Sequence, residues 1–245
     1  MFYFDNFYGK KILKSSLLKD YDCFFTTREF VLTHANIQDL KNTAEGNRNF
    51  LKEKLNISEI TTTQQTHSNN IEIIKESTNF YENTDALIST IPNTLLLLNF
   101  ADCVPIILYN KKENIGSVVH AGWRGTAGKI LSKTVQKMIT ELNINPKDIT
   151  ALIGPSIGKC CFETGEEVFE QLINDKDEVE LYTKKDNKYF IDLKLLNYKQ
   201  LVDNGVEDID ICSYCTCCMS DIFFSYRKEK GVTARHSAII KIKRG

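Results

Sequence analysis

Four histidines and eight cysteines carry most of the chemical potential of this chain, and two of them, His120 and Cys103, border apolar runs. His120 closes the run Ile115-Gly116-Ser117-Val118-Val119 and opens Ala121-Gly122-Trp123-Arg124-Gly125-Thr126-Ala127-Gly128, a glycine-rich turn that leads toward a helix. Such a turn can aim backbone N–H groups at an anion, and Arg124 adds a planar fork for oxyanions. On that reading Gly122, Arg124 and Gly125 hold a phosphate; the plainer alternative is a tight turn beside a surface arginine. Cys103 follows Asp102 in Asn99-Phe100-Ala101-Asp102-Cys103-Val104-Pro105, where a charge interrupts two apolar segments. An aspartate there must be paired, hydrogen-bonded or open to a cleft. The thiol beside it can be an inert core group, a nucleophile or a metal ligand. His67 lies in the polar segment Gln64-Gln65-Thr66-His67-Ser68-Asn69-Asn70. Positions 67, 103 and 120 are too far apart for any local metal-ligand signature. Their placement permits three strand ends to converge, giving two imidazoles and one thiolate, a set that suits tetrahedral zinc with one position open to water.

A second strand-to-helix junction, Ile153-Gly154-Pro155-Ser156-Ile157-Gly158, runs on through Cys160-Cys161-Phe162 and can border the same pocket. The alternative is a connecting loop whose glycines supply positive φ. Cys212, Cys215, Cys217 and Cys218 crowd into one short segment, which is poor geometry for pairing with each other. A closed zinc knot needs two separated pairs of ligands, and no second pair stands at finger-like distance from these four. His34 and His236 read as ordinary polar positions.

The elements that must position these side chains come from the hydrophobic pattern. Strands are predicted over 2–7, 23–26, 71–74, 86–89, 95–100, 104–109, 115–120, 149–153, 223–226 and 238–242. Helices are predicted over 37–55, where Gly46 weakens the middle, and over 130–142, 166–173 and 193–202. Several strands are continuous apolar runs, as expected when both faces are covered. The class is α/β or α+β in one domain, since no repeat, linker or low-complexity tract divides the 245 residues. With 42% hydrophobic and 26% charged residues the composition is that of a soluble globular protein. Lys+Arg 31 against Asp+Glu 32 leaves no basic stripe for nucleic acid, and Lys241, Lys243 and Arg244 read as a solvated end. No segment has the length of a membrane span, and the start lacks the pattern of a secretory signal. The thiols therefore read as reduced and the location as cytoplasmic. Nothing in the pattern specifies an oligomeric state.

Gln65-Thr66-His67, Asp85-Ala86-Leu87, Ala101-Asp102-Cys103-Val104-Pro105, His120-Ala121-Gly122-Trp123-Arg124-Gly125, Ile153-Gly154-Pro155-Ser156-Ile157-Gly158 and Phe223-Phe224-Ser225-Tyr226-Arg227 follow one another in order. In these blocks, from about His67 to Arg235, the chain resembles the YfiH-like purine nucleoside phosphorylase family, also labelled laccase-domain or polyphenol oxidase proteins. The resemblance implies a single α+β domain over residues 1–245, layered α/β/β/α with mixed sheets. It implies one catalytic zinc on His67, Cys103 and His120, with purine nucleosides and phosphate as small-molecule partners. The implied activities are phosphorolysis of adenosine, inosine and methylthioadenosine, and deamination of adenosine. Ser68 stands where the family commonly has glycine, and the Cys212–Cys218 segment is richer in thiols than usual.

Deamination requires a carboxylate to carry protons, and Asp102 is the first candidate. The positions two residues beyond the histidines, where zinc deaminases place glutamate, are Asn69 and Gly122. Phosphorolysis requires a held phosphate, for which Arg124 and the glycine amides are candidates. Three other readings compete. A copper phenol oxidase is disfavoured because four histidines are too few for a multicopper centre. A metal-free cysteine hydrolase or amidase, of the kind linked to peptidoglycan-precursor editing, would use Cys103 as nucleophile with His120 or His67 as base. A thiol-rich metal-binding protein would rely on Cys212 to Cys218.

Overall fold

The computed structural model describes residues 1–33, 37–76, 78–173, 178–231 and 233–243; His34 and Arg244 lie outside them. Two large mixed sheets stack face to face. The first runs Phe2–Phe7, Lys10–Ser15, Cys23–Thr26, His236–Lys241, Leu95–Phe100, Ile60–Thr63, Phe80–Tyr81. The second runs Asp208–Ile211, Ile149–Ile153, Val104–Asn110, Ile115–Ala121, Ala86–Ser89, Ile71–Ile74. Antiparallel pairs form the centre of the second sheet, and a parallel pair closes each of its edges.

Alternation of side chains along the strands builds the layers. Leu96, Leu98 and Phe100 from the first sheet meet Ile107, Tyr109, Val118 and Leu152 from the second in the central core. Their neighbours Leu95 and Leu97 face outward, against Leu51 and Leu55 of the helix Lys41–Leu55. On the far side Ile106, Leu108, Val119 and Ala151 meet Leu131, Val135 and Met138 of the helix Ile130–Leu142, with Phe169 of Glu166–Leu172 and Leu201 of Leu193–Asp203. The result is helix, sheet, sheet, helix, one α+β domain, with a small sheet of Glu163–Thr164, Lys188–Ile191 and Tyr182–Lys185 beside it. No helix among the described residues is long and apolar enough to cross a membrane.

Three expectations are corrected. Residues 223–226 form no strand. Phe223 enters the central core and Phe224 a separate cluster, and turn bonds such as Phe223 N–H to the Met219 carbonyl (2.9 Å) hold them. Two residues of the basic end are held rather than free: Lys241 donates to the Leu55 carbonyl at 2.5 Å, and the exposed Lys243 lies 3.8 Å above the Tyr21 ring. His236 is fully buried against Phe100 and Phe223. The feature that matters most for function is a corner. The chain leaves the first sheet at Phe100 and enters the second at Val104, so Asp102 and Cys103 sit where it crosses between layers.

Candidate metal centre

One buried carboxylate organises the site. Asp85 immediately precedes the strand Ala86–Ser89 and is wholly inaccessible. Its oxygens accept the backbone N–H groups of Thr66 (3.2 Å), His67 (3.1 Å) and Ser68 (2.7 Å) and the Ser68 hydroxyl (2.7 Å). Three consecutive amides pointed at one anion wrap the loop around it and hold His67 at φ +59°, a conformation that non-glycine residues seldom adopt. Ser68 thus contributes a second donor to the same carboxylate. Asp85 Oδ1 also lies 2.7 Å from His120 Nδ1.

His120 comes from the strand Ile115–Ala121, and its backbone N–H donates to the Asp85 carbonyl at 2.7 Å. Its ring meets the His67 ring at 4.8 Å between centroids and rests on Phe100 at 5.3 Å. Cys103 is half-buried at the inter-sheet corner. The donor atoms of His67, Cys103 and His120 all lie within 4.8 Å of one another. Gly122 permits this approach, because a Cβ there would stand 3.0 Å from both Cys103 Sγ and His67 Cδ2.

The electrostatics follow from burial and contact. Burial disfavours the charged form of Asp85, yet the His120 and Ser68 hydrogen bonds outweigh it and hold the carboxyl near 2. Burial likewise opposes charging of His120, but Cys103 and Asp85 raise it to about 9. Burial opposes ionisation of Cys103 as well; the His120 charge and hydrogen bonds from His120 and His67 bring its thiol down to about 6. An ionised Asp85 keeps a proton on His120 Nδ1, so Nε2 is the nitrogen a metal would take, displacing the proton it shares with Cys103. Tetrahedral zinc with bonds of about 2.0–2.3 Å keeps its donors roughly 3.3–3.8 Å apart. A trio already inside 4.8 Å, with His67 exposed at its edge, fits such an ion.

A cavity of about 510 Å³ opens over the trio, with Trp123, Arg124, Phe162, Tyr226, Arg227 and Arg235 in its walls. Arg124 lies over the Trp123 ring at 4.1 Å, and its guanidinium has no hydrogen bond to another described residue. A larger groove of about 660 Å³, over the helix Ile130–Leu142, has neither histidine nor cysteine in its walls. Asp102, at φ +87°, accepts the Thr216 hydroxyl at 2.6 Å on one oxygen and the Arg227 backbone N–H at 2.7 Å on the other. Both oxygens of the expected proton carrier are therefore engaged.

The glycines act by closeness rather than by positive φ. None of Gly122, Gly125, Gly128, Gly154 and Gly158 has positive φ. A Cβ on Gly128 would strike the Asn69 amide at 1.8 Å, and one on Gly154 the Phe25 ring at 2.3 Å. Gly125 lies against Ile130 and the carbonyls of His120 and Ser68. The turn is thus compact because the His67 loop lies on it. The second junction does reach the pocket, through Ile157 and Phe162.

Asp85, Arg227 and Arg235 were given no role by sequence reasoning. For Asp85 the available signal was an acid directly preceding a buried apolar strand. The expectation that the C-terminal thiols lack a partner pair is also corrected. Cys215 and Cys218 meet Cys160 and Cys161, with all four sulfurs within 4.8 Å. Cys212 lies in the central core instead.

Known proteins resemble the chain in sequence and in fold. Residues 28–243 match the family model described as multi-copper polyphenol oxidoreductase laccase. A purine nucleoside phosphorylase of Clostridium acetobutylicum is 38% identical over 242 residues, spanning 95% of this chain and 98% of that protein. An adenosine deaminase of an unknown prokaryotic organism is 32% identical over 188 residues, 71% of each chain. The crystal structure of YlmD from Geobacillus stearothermophilus superposes with a TM-score of 0.90 at 27% identity, over 98% of this chain and 99% of that one.

Proposed function

The chain belongs to the laccase-like YfiH family, and from that premise we propose a zinc-dependent purine nucleoside enzyme, cleaving adenosine, inosine and methylthioadenosine with phosphate and deaminating adenosine. The observation that carries the reading is the convergence of His67, Cys103 and His120 beneath the cavity, with Asp85 fixing His120. These three side chains would hold the zinc, which when bound supplies Lewis acidity and makes water a nucleophile near neutral pH. Copper remains the lesser alternative.

The walls suit a nucleoside. Trp123, Phe162 and Tyr226 offer aromatic faces to a purine. The Arg124 guanidinium, not committed to another described residue's hydrogen bonds, holds phosphate as it attacks the ribose carbon and the base departs. Gly122 and Gly125 support that turn through packing. Asp102 holds Thr216 and the Arg227 backbone at the rim and, since each engaged oxygen keeps a second lone pair, is the carboxylate we assign to proton transfer in deamination. Eight free thiols suit a reducing compartment, the cytoplasm.

The direct test is phosphate-dependent release of hypoxanthine from inosine. Turnover is expected in the zinc-loaded protein and is expected to vanish in Cys103→Ala; undiminished turnover in that variant removes the proposed centre. A second reading has one observation in its favour. Cys103, His120 and Asp85 form a thiol, imidazole and carboxylate series, and the thiol is pulled down to about 6 against its burial by His120 and His67. Chelation separates the two, since a cysteine hydrolase keeps its activity without metal.

A further inference from the structure

We propose that Cys160, Cys161, Cys215 and Cys218 form a second metal site, a closed four-thiolate centre for a soft divalent cation of the zinc class. The sulfurs of Cys160 and Cys218 are 3.6 Å apart and those of Cys161 and Cys218 are 3.4 Å apart. A disulfide bond is about 2.05 Å long, whereas the edge of a tetrahedron of thiolates at zinc bond length is about 3.8 Å. The spacing is that of ligands around an ion.

The surroundings are shaped for it. The Gly158 N–H donates to Cys215 Sγ at 3.2 Å, the kind of outer contact that orients a ligating thiolate. A side chain at 158 would intrude, since its Cβ would lie 3.2 Å from Cys215 Cβ and 3.3 Å from Cys160 Sγ. The backbone fixes both pairs independently of the sulfurs. Cys161 N–H bonds the Gly158 carbonyl at 2.9 Å, Thr216 N–H bonds the Ser156 carbonyl at 3.0 Å, and Met219 N–H bonds the Cys215 carbonyl at 2.9 Å. Four sulfur donors fill a tetrahedron and leave no position for substrate, so the site is structural. On binding, the thiols release their protons to solvent and the ion takes four thiolates.

The site shares no donor with the His67, Cys103, His120 centre, but it stands behind it. The Cys161 carbonyl accepts Arg227 Nη1 at 3.0 Å, and Thr216, next to Cys215, donates to Asp102. An ion here ties the segment 158–163 to 215–219 and so steadies the corner that carries Cys103.

Metal content of protein purified without chelator tests the proposal, and Cys103→Ala makes it independent of the nucleoside reading. Two zinc per chain are expected in the wild type, one in Cys103→Ala, and one in the Cys160→Ser/Cys218→Ser double variant. Cobalt loaded into Cys103→Ala is expected to show the intense bands of tetrahedral cobalt thiolate. If the double variant does not fold, alkylation of the wild type decides: Cys160 and Cys218 are expected to resist iodoacetamide until a chelator is added. Cys103→Ala free of metal, alkylation indifferent to chelator, or a disulfide recovered among the four in place of the ion overturns the proposal.

Discussion

Both cysteine-bearing regions bring their donor atoms within 4.8 Å of one another, yet Cys103 in the first and Cys160 and Cys161 in the second are driven in opposite directions. At the corner, two imidazoles face Cys103 and bring it to about 6 despite burial. In the second cluster burial and neighbouring thiols push Cys160 up to about 11 and raise Cys161 further. Cys215 is lowered, by the Gly158 and Cys218 amides against its burial. The difference lies in the company each sulfur keeps. A thiol among imidazoles that take up its proton becomes a ready nucleophile or ligand beneath a cavity, whereas thiols among thiols stay protonated until a cation displaces their protons to solvent.

Asp85→Asn should affect the first region most. It replaces an acceptor-only group with one whose amide end cannot receive the loop N–H groups or fix His120. About 10- to 100-fold weaker zinc binding at the first centre is expected, with the second equivalent retained; metal titration checks it, and equal loss at both would mean the regions are coupled through the fold. Next come the paired glycines. Gly122→Ala crowds Cys103 and His67, and Gly158→Ala crowds Cys160 and Cys215. Each is expected to destabilise by about 1–3 kcal/mol in denaturant melts, and each to lose only the ion of its own region.

Acid separates the regions from the rest of the fold. His236 is fully buried, with both ring nitrogens lacking a hydrogen-bond partner among the described residues and the Pro155 backbone beside it outside bonding geometry. Burial lowers it to about 3, so it is neutral when folded while the unfolded chain takes up a proton below about 6.5. Its contribution to stability is full above 6.5 and declines as pH falls toward 3, by at most about 1.4 kcal/mol per pH unit. Urea melts across that window should show the slope, and His236→Leu should flatten it without changing metal content. The smallest effect serves as a control: Gly46 is exposed in mid-helix with no neighbour for a Cβ. Gly46→Ala should stabilise by about 0.5–1 kcal/mol and leave both regions untouched.

Most of the layers were legible because side-chain period is a local property of backbone. The runs 95–100 and 104–109 read as buried strands, and the helix Ile130–Leu142 showed its apolar face. Where local reading failed, the outcome was set by remote partners. Phe223 and Phe224 have the composition of a strand, but two different clusters claim them.

The same division holds for the site. The sequence by itself supplied the donor types, two imidazoles and a thiol at strand ends, and the glycines of the turn beside them. It could not supply the role of Asp85, which depends on three loop amides and a histidine from another strand meeting one carboxylate. Nor could it pair Cys160 and Cys161 with Cys215 and Cys218. Residue type determines what a side chain can do, whereas strand register and loop closure determine what it meets. Those arise only when the whole chain has closed on itself.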